Sequence, residues 1–164
     1  MAVMSESAVQ TMQLCIRLAG GFALFGGLIA VVEACGVTQT LTHLARAPLR
    51  ALFPGIIHNE AARAAISENL IANAMGLGNA ATPAGLRAME AMRDRCREGR
   101  ATDDMCMLLV LNATGVQLLP TGVIALRAAA GSAAPASILL PTILSTALST
   151  AAGIAICLIC RQRR

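Results

Sequence analysis

Long runs without a charged side chain are the feature that most constrains this chain. They extend from Leu18 to Val32, from Met105 to Leu126 and from Ala136 to Cys160. A helix needs about 20 predominantly apolar residues to cross a bilayer, and the second and third runs meet that length alone. The first run meets it when its ends are taken as Leu14 and Ala34. The sequence therefore predicts an all-α integral membrane helical bundle with about three spanning helices.

The composition favours the same class of protein. Of the 164 residues, 56% are hydrophobic and 13% are charged, about half the charged share of a typical soluble domain. A soluble domain needs more charge to cover its surface. We therefore expect a single membrane domain over residues 1–164. We interpret its first run as a retained helix rather than a signal peptide, because residues 1–13 contain no basic residue.

The arginines predict an orientation in the cell membrane. All thirteen basic residues are arginine, and the formal net charge is +4. Five lie between Arg87 and Arg100 and three in the last four residues, whereas Arg127 stands alone between the last two runs. Positively charged segments stay in the cytoplasm. We therefore expect a multi-pass protein of the plasma membrane with a cytoplasmic C-terminus.

Several function classes are disfavoured by what the sequence lacks. Without Trp or Tyr there is no aromatic stacking platform for nucleic acid. The absence of lysine excludes a Walker-type phosphate loop, and no nucleophile motif is present, so we expect no enzyme. The six cysteines are interpreted as small apolar residues. Because Cys157-x-x-Cys160 lacks the second half of a zinc site, we expect no metal and no cofactor.

Two further segments carry their own predictions. Val37 to Phe53 has leucines at helical spacing with His and Arg between them, which is typical of an amphipathic surface helix, here kinked at Pro48. Asn59 is suited to cap a helix. From Asn69 to Leu86 the chain is uncharged but rich in Gly and Asn. Because irregular backbone at membrane depth must lie inside protein or beside water, this segment predicts a broken, re-entrant helix pair.

The break is expected between Gly76 and Asn79, with the second helix starting at Thr82-Pro83. Free backbone groups and uncharged amides near membrane depth are typical of sites for small polar solutes or ions. The alternative is that the amides only cap and pack the broken helix. The candidate solute-binding residues are Asn69, Asn73, Asn79, Thr82, Asn112 and Gln117. The residues expected to shape the helix breaks are Gly76, Gly78, Pro83 and Pro120.

Three sequence patterns resemble the bacterial spore maturation protein A family. They are NLIANAMGLGNAATPAGLRAMEAM from Asn69 to Met92, LNATGVQLLPTGVIALR from Leu111 to Arg127, and the GS-x-x-P-x-x-I-L-L-P pattern from Gly131 to Pro141. The resemblance covers roughly residues 10–160. It implies a membrane protein of the wider nucleoside-recognition or Gate group. It also implies action with a partner, spore maturation protein B, in maturation and dehydration of the spore core.

Three functions compete at this point. The first is a Gate-type protein that moves or retains a small polar solute or ion. It would reside in the lipid bilayer as a homo- or hetero-oligomer with a second Gate-type membrane protein, and it would not bind nucleic acid. The second is a non-transporting assembly protein of an envelope complex. The third is a membrane enzyme acting on envelope precursors, which would need a catalytic base beside a nucleophile.

Overall fold

The computed structural model describes residues 2–36, 49–96, 99–115 and 117–162. Six α-helices have defined bounds, and no extended strand occurs within these ranges. The helices are α1 (Ala2–Ala34), α2 (Glu60–Ala74), α3 (Gly78–Met92), α4 (Asp103–Thr114), α5 (Thr121–Ala129) and α6 (Leu139–Gln162). Short 3₁₀ turns span Pro54–Ile56, Arg93–Arg95 and Pro135–Ile138. The all-α prediction is confirmed for the part of the chain that the structure describes.

The first predicted span lies inside α1, which packs against α5. The crossing of a membrane by Leu14–Ala34 stays a prediction. Most of the predicted amphipathic surface helix, residues 37–48, lies outside the described residues. Its last residues, 49–52, are helical, and Leu49 and Phe53 are buried. A 3₁₀ turn at Pro54–Ile56 follows.

Helices α2 and α3 form an antiparallel hairpin. Their contacts run in opposite order along the chain: Asn59 Nδ2 donates to the Ala91 carbonyl (2.9 Å) at the base, and Asn69 Nδ2 donates to the Ala81 carbonyl (2.7 Å) nearer the tip. Asn59 also caps α2, because its Oδ1 accepts from the Ala62 N–H (3.0 Å), as predicted. Each arm has 15 residues and is about 22 Å long, shorter than the ~30 Å hydrocarbon core.

The second predicted span is wrong as a single helix. The run from Met105 to Leu126 is divided between α4 and α5. The physical reason is local: Gly115 ends α4 with φ +46, in the left-handed region. Pro120 lacks the N–H that a continuing helix would use, and it directly precedes α5. The absence of charged residues defines the length of the run, but Gly115 and Pro120 are also uncharged, so this criterion does not reveal the interruption.

Helix α6 lies antiparallel along α4. Thr150 Oγ1 donates to Thr114 Oγ1 (3.1 Å), and Arg161 Nε lies 3.8 Å from Asp103 Oδ2 at the other end of α4. Among the described residues, one helical segment, Pro135–Gln162, is long and apolar enough to cross a membrane, and its most apolar 18-residue stretch has a mean hydropathy of 2.1. Almost none of it is buried within the chain. The third predicted span is therefore a continuous apolar helix, whereas a bundle of three spans stays a prediction.

The main hydrophobic core lies at the base of the hairpin. It consists of side chains from residues 49–56, the two hairpin arms and α4, among which Phe53, Ile66, Met92 and Leu108 are almost fully buried. Ile154 and Cys157 of α6 pack against its edge. This core fixes the hairpin arms to α4, and thereby sets which residues of α2 and α4 meet nearer the tip.

Candidate functional site

The hairpin tip is a tight helix-ending turn centred on Gly76. The Leu77 N–H donates to the Ala72 carbonyl (2.8 Å) and the Gly76 N–H to the Asn73 carbonyl (3.0 Å). With Gly76 at φ +74, this is the Schellman arrangement that satisfies the last carbonyls of a helix. The predicted break therefore exists, but it is centred on Gly76 and shorter than expected.

The predicted start of the second helix at Thr82-Pro83 is wrong. Helix α3 begins at Gly78, and Pro83 lies inside it. The reason is that the Schellman turn reverses the chain at once, so the next helix starts within two residues of Gly76. Thr82 is therefore not a cap: it is exposed, and its Oγ1 donates to the Gly78 carbonyl (3.2 Å) one turn earlier.

The tip packs against the interruption between α4 and α5. The Ala74 carbonyl accepts from the N–H groups of Leu118 (2.8 Å) and Leu119 (3.1 Å). Thr121 Oγ1, at the start of α5, donates to the Gly76 carbonyl (3.3 Å). A Cβ on Gly76 would collide with the Leu119 carbonyl. The two helix interruptions therefore form one backbone-bonded unit, which we call the junction: residues 74–77 with 118–121.

A chain of three amides lies next to the junction. Asn73 Nδ2 donates to Asn112 Oδ1 (2.8 Å), and Asn112 Nδ2 donates to Asn69 Oδ1 (2.9 Å). Asn69 Nδ2 in turn donates to the Ala81 carbonyl (2.7 Å). The chain connects both hairpin arms to α4 across sequence separations of up to 43 residues. Three of the predicted site residues are thus brought together.

The three side-chain amides differ in how many of their hydrogen-bonding groups have a partner. Asn69 is 1% exposed and bonded at both ends. Asn112 is exposed, but both of its N–H groups are taken, by Asn69 and by the Leu108 carbonyl (2.9 Å). Asn73 is half-buried, and its Oδ1 has no hydrogen-bond partner among the described residues. An amide oxygen accepts two hydrogen bonds, so Asn73 is the member best placed to contact a solute.

The other predicted residues lie elsewhere or play different parts. The side chain of Asn79 lies outside the described residues, although its backbone belongs to α3. Gln117 contacts α6 through its backbone N–H, which donates to Thr146 Oγ1 (3.3 Å). A Cβ on Gly78 would meet nothing within 4 Å, so this position does not require glycine. Pro120 is buried within the junction.

The candidate residues named from the sequence did not include Gly85 or Thr121. A Cβ on Gly85 would lie 2.9 Å from Asn69 Nδ2, so glycine at this position makes room for the buried amide. Thr121 is 9% exposed and carries the side-chain bond to the tip. The signal for Thr121 was its place directly after Pro120; Gly85 gave no signal, because its partner lies across the hairpin.

One ion pair flanks the amides on the hairpin surface. Arg87 Nη2 of α3 lies 2.7 Å from Glu68 Oε1 of α2, and both side chains are more than half exposed. Within the described residues, no group of three His, Cys, Asp or Glu side chains is arranged to hold a metal ion. The junction and the neighbouring amides offer hydrogen bonding by uncharged amide and backbone groups.

These features define a class of protein: its described residues form helices and turns, with one apolar helix of spanning length and a helical hairpin that packs against a second helix interruption. The chain is similar to Spore maturation protein A of Bacillus subtilis (strain 168), with 39% identity over 124 residues. The matched region covers 75% of this chain and 63% of that protein. No family model matches the chain, and no solved structure matches it.

Proposed function

We propose that this chain is a sporulation-related integral membrane protein whose junction moves or retains a small polar solute or ion. The similarity to Spore maturation protein A supports the role in sporulation, and the apolar helix Pro135–Gln162 supports the membrane location. By the resemblance, it acts in maturation and dehydration of the spore core with a partner of the spore maturation protein B type. It performs no enzymatic reaction and carries no cofactor.

The half-buried amide of Asn73 is the observation that carries the solute hypothesis. Its Oδ1 lies beside a helix interruption, where solute contacts are typical of transporters with broken helices. A plain structural amide would gain most by being fully bonded, as Asn69 is. We assign direct contact with the solute to Asn73, and we assign positioning of that amide to Asn112 through the 2.8 Å hydrogen bond.

The second candidate function, a non-transporting assembly protein, has its own supporting observation. Asn69 and Asn112 satisfy each other and neighbouring carbonyls, which is what purely structural amides do. Under this hypothesis the exposed apolar side chains of α6 would pack against partner helices, and Asn73 would be dispensable.

Complementation tests the proposed function. The gene is expressed in a Bacillus subtilis strain that lacks its own spore maturation protein A, and spore density and heat resistance are measured. We expect the full chain to restore both and to stay in the membrane pellet after a carbonate wash. Release by carbonate would contradict the membrane location. Retention without restoration would contradict the role in spore maturation.

A further inference from the structure

Helices α4 and α6 contact each other in one continuous register. Three contacts define it: a hydrogen bond of 3.1 Å, a close approach at a glycine and an ion pair of 3.8 Å. From each contact to the next, both helices advance by about one turn and then by about two turns. The facing pairs, in this order, are Thr150 with Thr114, Gly153 with Val110, and Arg161 with Asp103.

The two-turn interval contains one further facing pair, and both of its positions are cysteines. Cys106 lies one turn from Val110 on α4, and Cys157 lies one turn from Gly153 on α6. The register therefore places Cys106 opposite Cys157. Both side chains are half-buried, and that of Cys157 packs against the edge of the main hydrophobic core.

The contacts on either side hold the two helices close together at this pair. A Cβ on Gly153 would lie 2.8 Å from Val110 Cγ1, so the helix backbones approach closely one turn to one side. One turn to the other side, Arg161 Nε lies 3.8 Å from Asp103 Oδ2. That ion pair is partly exposed, so the thiols lie about 5 Å along the helices from a water-accessible position.

The sequence motif Cys157-x-x-Cys160 indicates a different partner for Cys157, on its own helix. Cβ atoms three residues apart on a helix are about 5–6 Å from each other, whereas a disulfide needs about 3.5–4.5 Å. Helix α6 continues to Gln162, so its backbone keeps Cys157 and Cys160 at the longer distance. Cys106 is the better partner, because it lies on a separate helix whose side chains meet those of α6 face to face.

We propose that Cys106 and Cys157 are a site of reversible oxidation, at which a disulfide joins α4 to α6. The oxidant is a small-molecule disulfide. The thiolate of one cysteine attacks it and releases one small thiol, and the second cysteine attacks the resulting mixed disulfide and releases the other. Two S–H bonds of the protein are thereby replaced by one S–S bond, and the oxidant takes up the two electrons and two protons. The disulfide fixes the apolar helix to α4, which carries Asn112 of the amide chain.

A variant that keeps Cys106 and Cys157 and has serine in place of the other four cysteines tests the site. The full chain, solubilised in detergent, is incubated with oxidised glutathione, and the remaining thiols are alkylated with N-ethylmaleimide. The intact mass then distinguishes an internal disulfide from a glutathione adduct and from free thiols. The matched control carries Cys157→Ser and Ile159→Cys. Ile159 is exposed, and two residues turn a helix by about 200°, so the thiol of the control faces away from α4.

We expect the variant with Cys106 and Cys157 to yield an unalkylated monomer free of glutathione, in about tenfold greater amount than the control, because only this pair meets at disulfide distance. Reduction with dithiothreitol should restore alkylation of both thiols. Equal yields from the two proteins, glutathione adducts on both cysteines, or a disulfide-linked dimer would overturn the proposal.

Peptide mapping of the unaltered chain gives a second measurement, which does not depend on the serine substitutions. After oxidation with oxidised glutathione and digestion with trypsin, Cys106 and Cys157 should be recovered in one cross-linked pair of peptides. A link between Cys157 and Cys160 instead, or recovery of Cys106 and Cys157 as free thiols, would contradict the pairing of α4 with α6 at these positions.

Discussion

Asn73 of α2 and Asn112 of α4 are joined by a hydrogen bond of 2.8 Å from Nδ2 to Oδ1. The two residues are 39 positions apart and lie at the ends of two helices that both stop at a left-handed glycine, Gly76 and Gly115. Each interruption alone would leave backbone groups in need of partners. Because the two interruptions meet, backbone groups of one form hydrogen bonds with groups of the other. The amides connect the two helices in the last turn before each helix ends.

Among the three hydrogen-bonded amides, the buried side chain of Asn69 is expected to contribute most to the stability of the fold. Asn69→Ala leaves the Ala81 carbonyl and one Asn112 N–H without their partner, at a cost of about 1–3 kcal/mol in the free energy of unfolding. Asn73→Ala removes a single bond at a half-buried position and should cost less. Far-UV circular dichroism during thermal unfolding in detergent compares the two variants. Equal stability of the two proteins would show that Asn69 does not hold the hairpin to α4.

The two glycines of the hairpin tip should respond in opposite ways. Gly76→Ala forces a Cβ into the left-handed region, at about 1–2 kcal/mol, and against the Leu119 carbonyl. Gly78→Ala places a Cβ in open space at the start of α3 and should be neutral or stabilising by up to about 1 kcal/mol. Thermal unfolding of both variants checks this. A larger loss at Gly78 than at Gly76 would contradict the position of the turn.

Gly153 sets the close approach of α6 to α4. A Cβ at this position lies 2.8 Å from Val110 Cγ1 and 3.1 Å from Thr114 Cγ2, so Gly153→Val should destabilise the pair by about 1–3 kcal/mol. The neighbouring Ala152 is exposed, and Ala152→Val is the matched control. Chemical cross-linking between α4 and α6 should fall for the first variant only. Equal cross-linking in both variants would mean that the helices do not pack through Gly153.

The ion pair between Glu68 and Arg87 reports on the water around the hairpin. Both side chains are more than half exposed, and an exposed pair contributes at most about 1 kcal/mol. In a double-mutant cycle with Glu68→Gln and Arg87→Gln, we expect a coupling energy in this range that weakens as salt is added. A coupling of several kcal/mol, insensitive to salt, would instead place the pair away from water.

The hairpin could be predicted from local chemistry. Asn59 is a good helix cap, and Gly76 follows an uncharged helical stretch, so both ends of α2 are visible in the sequence. Asn69, Asn73 and Asn112 were named as candidates because they lie in uncharged segments, but their hydrogen bonds to one another were not predicted. The exact start of α3 was missed because Thr82-Pro83 is an equally good helix start in isolation. Only the Schellman turn, which depends on the φ of Gly76, decides between them.

The interruption between α4 and α5 and its packing against the hairpin tip depend on contacts between segments that are distant in the sequence. The run from Met105 to Leu126 has the length and hydropathy of one span, and a lone glycine is tolerated in many helices. Pro120 was named as a break residue, but the run was still predicted as one span, and the interruption that begins at Gly115 was not predicted. The residues that hold the two interruptions together act through backbone carbonyls, as at Ala74 and Gly76. Carbonyl acceptors are present at every position and therefore leave no pattern in a sequence.

The spore heat resistance conferred by Asn73→Ala tests most directly whether the junction handles a solute. The variant is expressed in Bacillus subtilis lacking its own spore maturation protein A, and its amount in the membrane is matched to that of the unchanged chain. Ala64→Ser, on the exposed side of α2, serves as the control. We predict that Asn73→Ala accumulates normally but leaves heat resistance near that of the deletion strain, while the control restores it. Full restoration by Asn73→Ala at matched amounts would contradict a solute site at this amide.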